Sequence, residues 1–354
     1  MFDQDPIVGA DKRKCIVVGR AAAGIYLILK AERATGVEVL VPANVCYAAI
    51  FPILYAGGKP LFCDVDALSG NVTLETFTQV CTPQTRAAIV PHMYGNPVKD
   101  MAQIAEFCRQ RQILLIEDCA SAMGARADYP LGQMGDYTIY SMGYSKTLDL
   151  GGGGLVCSTH NLEHLENMER ELPLLSKEAA DNMNFFSKMY RTIRNLGSGT
   201  ALEKAIYRVL PDSLKDGFLF RVTNSEKERL FDGLAGLSNS IVQRKAVLQN
   251  YEEKLTKCQF RRYAYAEGAV PWRMCLYVEP ELRKCLIAKM LDCGLPVSDW
   301  YPCVAPIFGD EGVYLGAQWH ERHIVNFPIP EKTDVVEQIC NVLTEISQHA
   351  EERG

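Results

Sequence analysis

The chain has 354 residues, of which 48% are hydrophobic and 23% are charged, and its formal net charge at pH 7 is -6. This length allows a large core and two lobes. The negative net charge argues against a nucleic-acid partner, because proteins that bind nucleic acids usually present a basic face. No apolar run reaches the length of a membrane span, and residues 1–5 lack the basic and apolar regions of a signal peptide. The sequence therefore predicts a cytoplasmic enzyme with neither a membrane nor a nucleic acid as partner.

The first half of the chain is predicted to alternate strands with helices. The predicted strands are residues 15–18, 37–41, 60–65, 87–93, 113–116, 137–142 and 155–157. Predicted helices cover residues 25–34 and 101–111, the latter capped by Asp100, and a third begins at Tyr47. Such alternation predicts an α/β fold in which helices cover both faces of a mainly parallel sheet.

The second half is predicted to be mostly helical. An amphipathic segment covers residues 161–198, and a long helix over residues 226–255 leads into a smaller lobe. Strand-like pieces at 274–278, 294–298 and 326–329 and a final amphipathic helix at 334–348 complete that lobe. We therefore predict a large domain over residues 1–240 and a smaller α+β domain over residues 241–354.

The thirteen cysteines and six histidines show no metal-ligand spacing. No Cys-x-x-Cys pair occurs, and Cys63, Cys157 and Cys275 lie inside apolar runs. Without an export signal, the cysteines are interpreted as small reduced core residues. We therefore expect neither a metal site nor a disulfide.

Two charged residues that follow neighbouring strands suggest the chemistry. An apolar run stops at Glu117 and Asp118, which places a carboxylate at the end of a buried strand, where ligands of open α/β sheets bind. The next strand leads to Lys146. Pyridoxal phosphate needs a lysine amine to hold its aldehyde and an anion beside its pyridine nitrogen, so that the protonated ring acts as an electron sink. Alternatively, Asp118 caps a helix and Lys146 is a solvated surface charge.

These residues belong to a wider pattern that resembles the DegT/StrS-type sugar aminotransferases. The pattern comprises Ile-Glu-Asp-Cys-Ala-Ser at 116–121, the spacing from Ser141 to Lys146, the glycine run at 151–154, and residues 41–44, 54–60, 91–97, 294–298 and 326–330. It covers most of residues 15–345 in order. The resemblance implies pyridoxal 5'-phosphate as cofactor and the pyridoxal phosphate-dependent transferase fold of type I.

The resemblance also implies where the cofactor phosphate binds. Arg20 and Ala21 match a family turn that holds the phosphate at a helix N-terminus, where backbone N–H groups and the helix dipole attract an anion. Ser141 matches a serine whose hydroxyl bonds the phosphate. Arg20 replaces the usual threonine, so its side chain either adds a charge-assisted contact to the phosphate or points to solvent.

For the cofactor ring, the resemblance suggests Tyr47 and Ser121. The family places an aromatic ring on the pyridine, and the alignment puts that position on Cys46, one residue before Tyr47. We take Tyr47 as the stacking ring; the alternative is a half-buried tyrosine on a helix. Ser121 stands where family members carry glutamine or histidine near the ring hydroxyl, which puts the recognition of that hydroxyl in question.

The implied reaction has two halves. Glutamate is the expected amino donor, and a keto sugar linked to a nucleotide is the expected acceptor. Lys146 moves the proton at the substrate α-carbon, and Asp118 keeps the ring nitrogen protonated. Two alternatives stay open. One is a related lyase or dehydratase, against which Lys146 counts because the family's sugar dehydratases lose this lysine. The other is a regulatory protein that binds the cofactor without turnover.

The resemblance further implies a homodimer with active sites shared between subunits. Residues 217–221 match an element that the family donates to the neighbouring active site. Leu219 replaces the usual asparagine of that element, and we expect it to pack against the partner. The segment before the phosphate turn is shorter than in the family, so we expect an altered substrate pocket.

Overall fold

A seven-stranded sheet forms the centre of the protein, whose computed structural model describes residues 13–195, 200–330 and 333–351. The strands are β1 (Lys14–Val18), β2 (Glu38–Pro42), β3 (Lys59–Cys63), β4 (Thr85–Pro91), β5 (Leu114–Asp118), β6 (Tyr137–Ser141) and β7 (Gly154–Ser158). Their spatial order is β1-β7-β6-β5-β4-β2-β3, and β7 is the one strand of this sheet that runs opposite to the other six. The predicted mainly parallel α/β sheet is confirmed.

Helices cover both faces of this sheet, and others pack against a smaller second sheet. They are α1 (Ala21–Ala31), α2 (Tyr47–Ala56), α3 (Leu74–Val80), α4 (Met101–Arg111), α5 (Glu163–Glu171), α6 (Lys177–Asn195), α7 (Ala201–Phe218), α8 (Asn224–Gly233), α9 (Leu237–Lys254), α10 (Pro280–Asp292), α11 (Leu315–His323) and α12 (Thr333–Glu351). Because helices pack on both sides, every residue of β6 and β7 is buried.

The predicted single helix over residues 226–255 is wrong. It is divided into α8 and α9 by a short 3-10 turn, Leu234–Gly236. Gly233 allows a close approach at this break, because a Cβ atom there would lie 2.5 Å from the side chain of Leu150. Glycine also has a weak intrinsic preference for helix, which favours an interruption at this point.

The smaller sheet has the antiparallel order β10-β9-β8, where β8 is Arg261–Arg262, β9 is Met274–Tyr277 and β10 is Ile324–Phe327. It packs with α9, α10 and α12 around a core of its own that includes Tyr251, Leu286, Phe327 and Leu343. The predicted strand at 294–298 is wrong: only Ser298 pairs, in an isolated bridge to Asn326. The predicted domain boundary at residue 240 falls inside α9 and stays a prediction.

Cys15 and Cys157 form a disulfide, so the expectation that every cysteine is reduced is wrong for this pair. The two residues are register partners on the antiparallel strands β1 and β7, with their Cα atoms 4.1 Å apart. Cross-strand pairs of this kind bring side chains close together. Cys63 and Cys275 are free and buried, as expected.

Asp100 stands at the start of α4 but does not cap it with its side chain. Its Oδ2 atom instead accepts a hydrogen bond of 2.9 Å from the backbone N–H of Leu74. Leu74 begins α3, so this carboxylate joins two helices.

Across the described ranges, no helix combines the length and the apolarity needed to cross a bilayer.

Candidate active site

The carboxyl ends of the parallel strands gather the predicted site residues at one edge of the sheet. Asp118 ends β5 and Ser141 ends β6. In the sheet register, Ser141 pairs with Gly154 and Gly154 pairs with Val18, the last residue of β1. The turn after β1 therefore lies two strands from Ser141, and Asp118 lies on the strand beside Ser141's own. The topology thus predicts a ligand site along this edge.

Lys146 reaches this edge from the loop that follows β6. Its Nζ donates a hydrogen bond of 3.1 Å to the Oγ atom of Ser121. Burial lowers the pKa of Lys146, an effect that the nearby Cys46 and Asp118 partly oppose. A lowered pKa increases the fraction of neutral amine, which is the nucleophilic and basic form. The structure thus brings together Lys146, Asp118 and Ser121.

Asp118 is partly buried, and one backbone group holds its side chain. Its Oδ1 accepts a hydrogen bond of 2.8 Å from the backbone N–H of Ala120. Burial raises the pKa of Asp118, whereas the Ala120 N–H and the charge of Lys146 act to lower it. A cationic ring nitrogen bound beside this carboxylate would compensate its charge.

Glu117, beside Asp118, has a structural role that the sequence did not indicate. Its buried Oε1 lies 2.9 Å from Nε2 of His92. The carboxylate also accepts bonds of 2.6, 2.8 and 3.1 Å from the backbone N–H groups of Gly132, Met134 and Gly135. Although burial raises the pKa of Glu117, these donors and His92 hold it below its ordinary value. The ligand atoms of His92, Glu117 and Cys119 lie within 4.8 Å of one another, but the hydrogen bonds above already occupy the Glu117 carboxylate.

The predicted phosphate turn offers backbone groups, and its arginine contacts the end of α7. The Arg20 guanidinium donates a bond of 3.0 Å to the carbonyl of Gly217 and lies 4.7 Å from the centre of the Phe218 ring. The Arg20 side chain is turned into the protein, so the predicted solvent-exposed alternative is wrong. Contact of its remaining donors with a phosphate stays a prediction. No side chain caps the start of α1, which Arg20 and Ala21 begin. The first N–H groups of α1 are therefore suited to an anion.

Tyr47 and Cys46 face different surroundings. The Tyr47 ring packs among aromatic side chains, with Phe186 at 5.3 Å, Phe51 at 5.6 Å and Trp300 at 6.2 Å between ring centres. Cys46 instead lies close enough to Lys146 and Asp118 for their charges to act on its thiol, whose pKa is raised mainly by burial. The stacking role of Tyr47 stays a prediction.

Residues 217–221 lie against the phosphate turn of the same chain. A Cβ atom on Gly19 would come within 2.3 Å of the Phe220 carbonyl oxygen, so only glycine fits this turn. Leu219 is 4% exposed and belongs to the main core of its own chain. The expectation that Leu219 packs against a partner subunit is therefore wrong.

Aromatic residues distant in sequence form the wall opposite Lys146. The ring of Trp272 stacks on that of Tyr301 with centres 5.5 Å apart, and Lys146 Nζ lies 5.4 Å from the Trp272 ring centre. The Tyr301 side chain is hydrogen-bonded to Ser121. The backbone N–H of Tyr301 donates to the hydroxyl of Tyr94 at 3.0 Å. Sequence reasoning missed this wall because no local pattern links its members.

Arg244, on α9, ties the lysine loop to that wall. Its guanidinium donates bonds of 2.6 and 3.2 Å to the carbonyls of Lys146 and Thr147, and bonds of 3.1 Å to those of Pro271 and Trp272. Burial lowers the pKa of Arg244 to about 10. A planar fork with five donors can bridge these carbonyls, which a lysine cannot do. Arg244 therefore positions the loop that carries Lys146.

Replacing Arg244 by glutamine is expected to lower the turnover rate by up to ~100-fold, because small displacements of a reacting group carry costs of that size. The charge of Arg244 also lowers the pKa of Lys146. In the variant, the rise of the Lys146 alkylation rate with pH should therefore occur at higher pH. Steady-state kinetics and a pH series of lysine modification measure both effects. Lys245→Gln, a change at the exposed neighbouring position, is the control. An unchanged pH profile in Arg244→Gln would contradict this role.

The residues present fit pyridoxal phosphate. The uncapped start of α1 suits a phosphate, Lys146 offers an amine, and Asp118 offers a carboxylate on the adjacent strand end. Within the described residues, the buried Thr147 Oγ1 and Trp272 Nε1 atoms have no hydrogen-bond partner. Buried polar groups are normally paired, so atoms left over beside the lysine agree with a site built for a polar ligand.

Comparison with known proteins gives one consistent family. Residues 8–344 match the sequence pattern of the DegT/DnrJ/EryC1/StrS aminotransferase family. A dTDP-4-dehydro-2,3,6-trideoxy-D-glucose 4-aminotransferase from Saccharopolyspora spinosa is 31% identical over 150 residues, which are 42% of this chain and 39% of that relative. The chain therefore aligns with well under half the length of this relative.

Solved structures share the fold. The aminotransferase TlmJ from Streptoalloteichus hindustanus matches with a TM-score of 0.73 and 21% identity over 97% of this chain and 87% of its own. The ntda protein of Bacillus subtilis, described with bound cofactor PMP, matches with a TM-score of 0.71 and 17% identity over 95% of this chain and 74% of its own. The type I fold and the resemblance are confirmed: this chain belongs to the DegT/DnrJ/EryC1/StrS aminotransferase family.

Proposed function

We propose that this protein is a pyridoxal phosphate-dependent aminotransferase that moves an amino group from glutamate to a keto sugar. The acceptor is a nucleotide-linked sugar used in polysaccharide, lipopolysaccharide or antibiotic sugar biosynthesis. The observation that carries the proposal is the buried Lys146 amine, bonded to Ser121 and close to Asp118 at the carboxyl edge of the sheet. The Saccharopolyspora spinosa relative, named as a nucleotide-sugar aminotransferase, supports the substrate class.

Each group has a task in this reaction. When bound, the cofactor supplies an electron sink for the α-carbon of the substrate. In the first half-reaction Lys146 takes the proton from the donor's α-carbon as a general base. In the second it gives a proton to the acceptor's carbon as a general acid. Its lowered pKa provides the neutral amine that this role needs. Ser121 orients the amine, and Asp118 holds a proton at the pyridine nitrogen.

The remaining predicted residues bind and enclose. Ser141 and the backbone N–H groups of Arg20 and Ala21 hold the phosphate, and Tyr47 stacks on the pyridine ring. We also propose a homodimer. A second subunit that covers the loop before Lys146 would bury the Tyr144 side chain, which is 86% exposed in the single chain.

A two-step spectroscopic experiment tests the function. The protein is loaded with pyridoxal phosphate, and its visible absorption band is recorded before and after L-glutamate is added. With glutamate, we expect the band to fall while 2-oxoglutarate forms in an equal amount. A nucleotide-linked keto sugar added next should restore the band and be converted to an amino sugar. A sugar product that loses a hydroxyl without gaining nitrogen would instead identify a dehydratase. Binding without turnover of any donor would identify a regulatory protein.

A further inference from the structure

Arg273 brings a second cation to the wall that faces Lys146. It directly precedes β9, and its guanidinium carbon lies 4.9 Å from the centre of the Trp272 ring. The same ring lies 5.4 Å from Lys146 Nζ. The charge of Arg273 is close enough to contribute to the lowered pKa of Lys146. Arg273 and Lys146 thus approach one indole from two different elements.

No acidic residue in the described part of the chain forms an ion pair with Arg273. Its buried Nε atom also has no hydrogen-bond partner within those residues. Burial lowers the pKa of Arg273, and the groups that oppose this effect are Tyr301, Cys275, Tyr144 and Tyr251, none of them a carboxylate. A largely desolvated cation without a counter-ion carries a free-energy cost that a bound anion would remove.

The position of Arg273 indicates which anion it takes. The proposed phosphate site lies on the large sheet, at the start of α1 and at Ser141, whereas Arg273 comes from the start of a strand in the smaller sheet. The donor's α-carbon must approach Lys146 Nζ, because this amine moves its proton, and the donor's carboxylate is bonded directly to that carbon. An arginine fork also matches the planar geometry of a carboxylate.

We propose that Arg273 is the binding residue for a carboxylate of the amino donor, so that the site selects amino acids over uncharged amines. The proposal rests on the function proposed above. The pyrophosphate of a nucleotide-linked acceptor offers a similar anion from another source, and the experiment separates the two. Arg273→Gln removes the cation, Arg273→Lys keeps it without the fork, and Arg261→Gln on the exposed strand β8 is the matched control.

The first measurement is calorimetric titration of the cofactor-loaded protein with glutarate, a dicarboxylate that has no amine to transfer. We expect Arg273→Gln to bind it at least about tenfold more weakly than the parent protein, the loss typical of charge-assisted bonds. Arg273→Lys should recover part of the affinity, and Arg261→Gln should bind normally. Equal glutarate affinity in Arg273→Gln and the parent protein would overturn the proposal, provided that both unfold at similar temperatures.

The second measurement follows the two half-reactions separately. Arg273→Gln should raise the glutamate concentration needed for half-maximal rate by about the same factor as the glutarate affinity falls. The half-reaction with the nucleotide-linked sugar should stay near the parent rate. Loss of the sugar half-reaction alone would assign Arg273 to the acceptor's phosphates and overturn the proposal. If the parent protein binds glutarate through Arg273 but never reacts with glutamate, the proposed function fails and the carboxylate site stands.

Discussion

Lys146→Ala is expected to abolish covalent attachment of the cofactor and to reduce transamination below detection. No other amine in the described site takes the place of Lys146 Nζ beside Ser121. The cofactor aldehyde would therefore lose its covalent anchor, and the substrate α-carbon would lose its base. Borohydride reduction of the loaded protein followed by peptide mass spectrometry should find the reduced adduct on Lys146 in the parent protein and no adduct in the variant.

A matched lysine makes this test specific. Lys245→Ala removes an exposed lysine from α9, next to the buried Arg244, and should leave both the adduct and the rate unchanged. Fluorescence titration with the cofactor separates anchoring from binding, because Lys146→Ala should still bind the phosphate end non-covalently. A reduced adduct on any other lysine of the parent protein would refute the assignment of Lys146.

Asp118→Asn is expected to lower kcat by about 10⁴-fold, a cost similar to that of neutralising a charge-positioning aspartate in another enzyme. Asparagine keeps the shape and can still accept the Ala120 N–H bond. It lacks the negative charge that holds the pyridine nitrogen protonated, so the electron sink would weaken. Single-turnover kinetics with glutamate measures the chemical step, and Asp128→Asn at an exposed position is the control. A near-normal rate in Asp118→Asn would show that this residue only serves the fold.

Asp118→Asn should lower kcat but should not lower the stability of the cofactor-free protein. Burial raises the pKa of Asp118, so its contribution to stability is present below the unfolded pKa and is lost as the pH rises through the folded pKa. Near neutral pH the ionised carboxylate therefore costs free energy in the cofactor-free protein. We expect cofactor-free Asp118→Asn to unfold at an equal or higher temperature than the parent protein, and the difference to shrink when the pH is lowered. Thermal unfolding at a series of pH values measures it.

Sequence alone determined the parts of this protein that depend on local pattern. Alternating apolar runs and helical segments predicted the parallel sheet, because burial on both faces gives its strands continuous hydrophobic stretches. The roles of Asp118 and Lys146 could be predicted because Asp118 ends one strand and Lys146 lies in the loop after the next strand. The order of strand ends along the chain then predicted that both would meet at one edge of the sheet.

Only the tertiary structure decided the groups whose roles depend on long-range contacts. Arg244 follows Lys146 by 98 residues and Trp272 lies further along the chain, and no periodicity in the sequence links them to its loop. The disulfide between Cys15 and Cys157 depends on strand register, which is set by how the whole sheet assembles. The direction of the Arg20 side chain was open for the same reason: a residue's neighbours in sequence determine its backbone, but packing against α7 decides where a long, flexible cation ends.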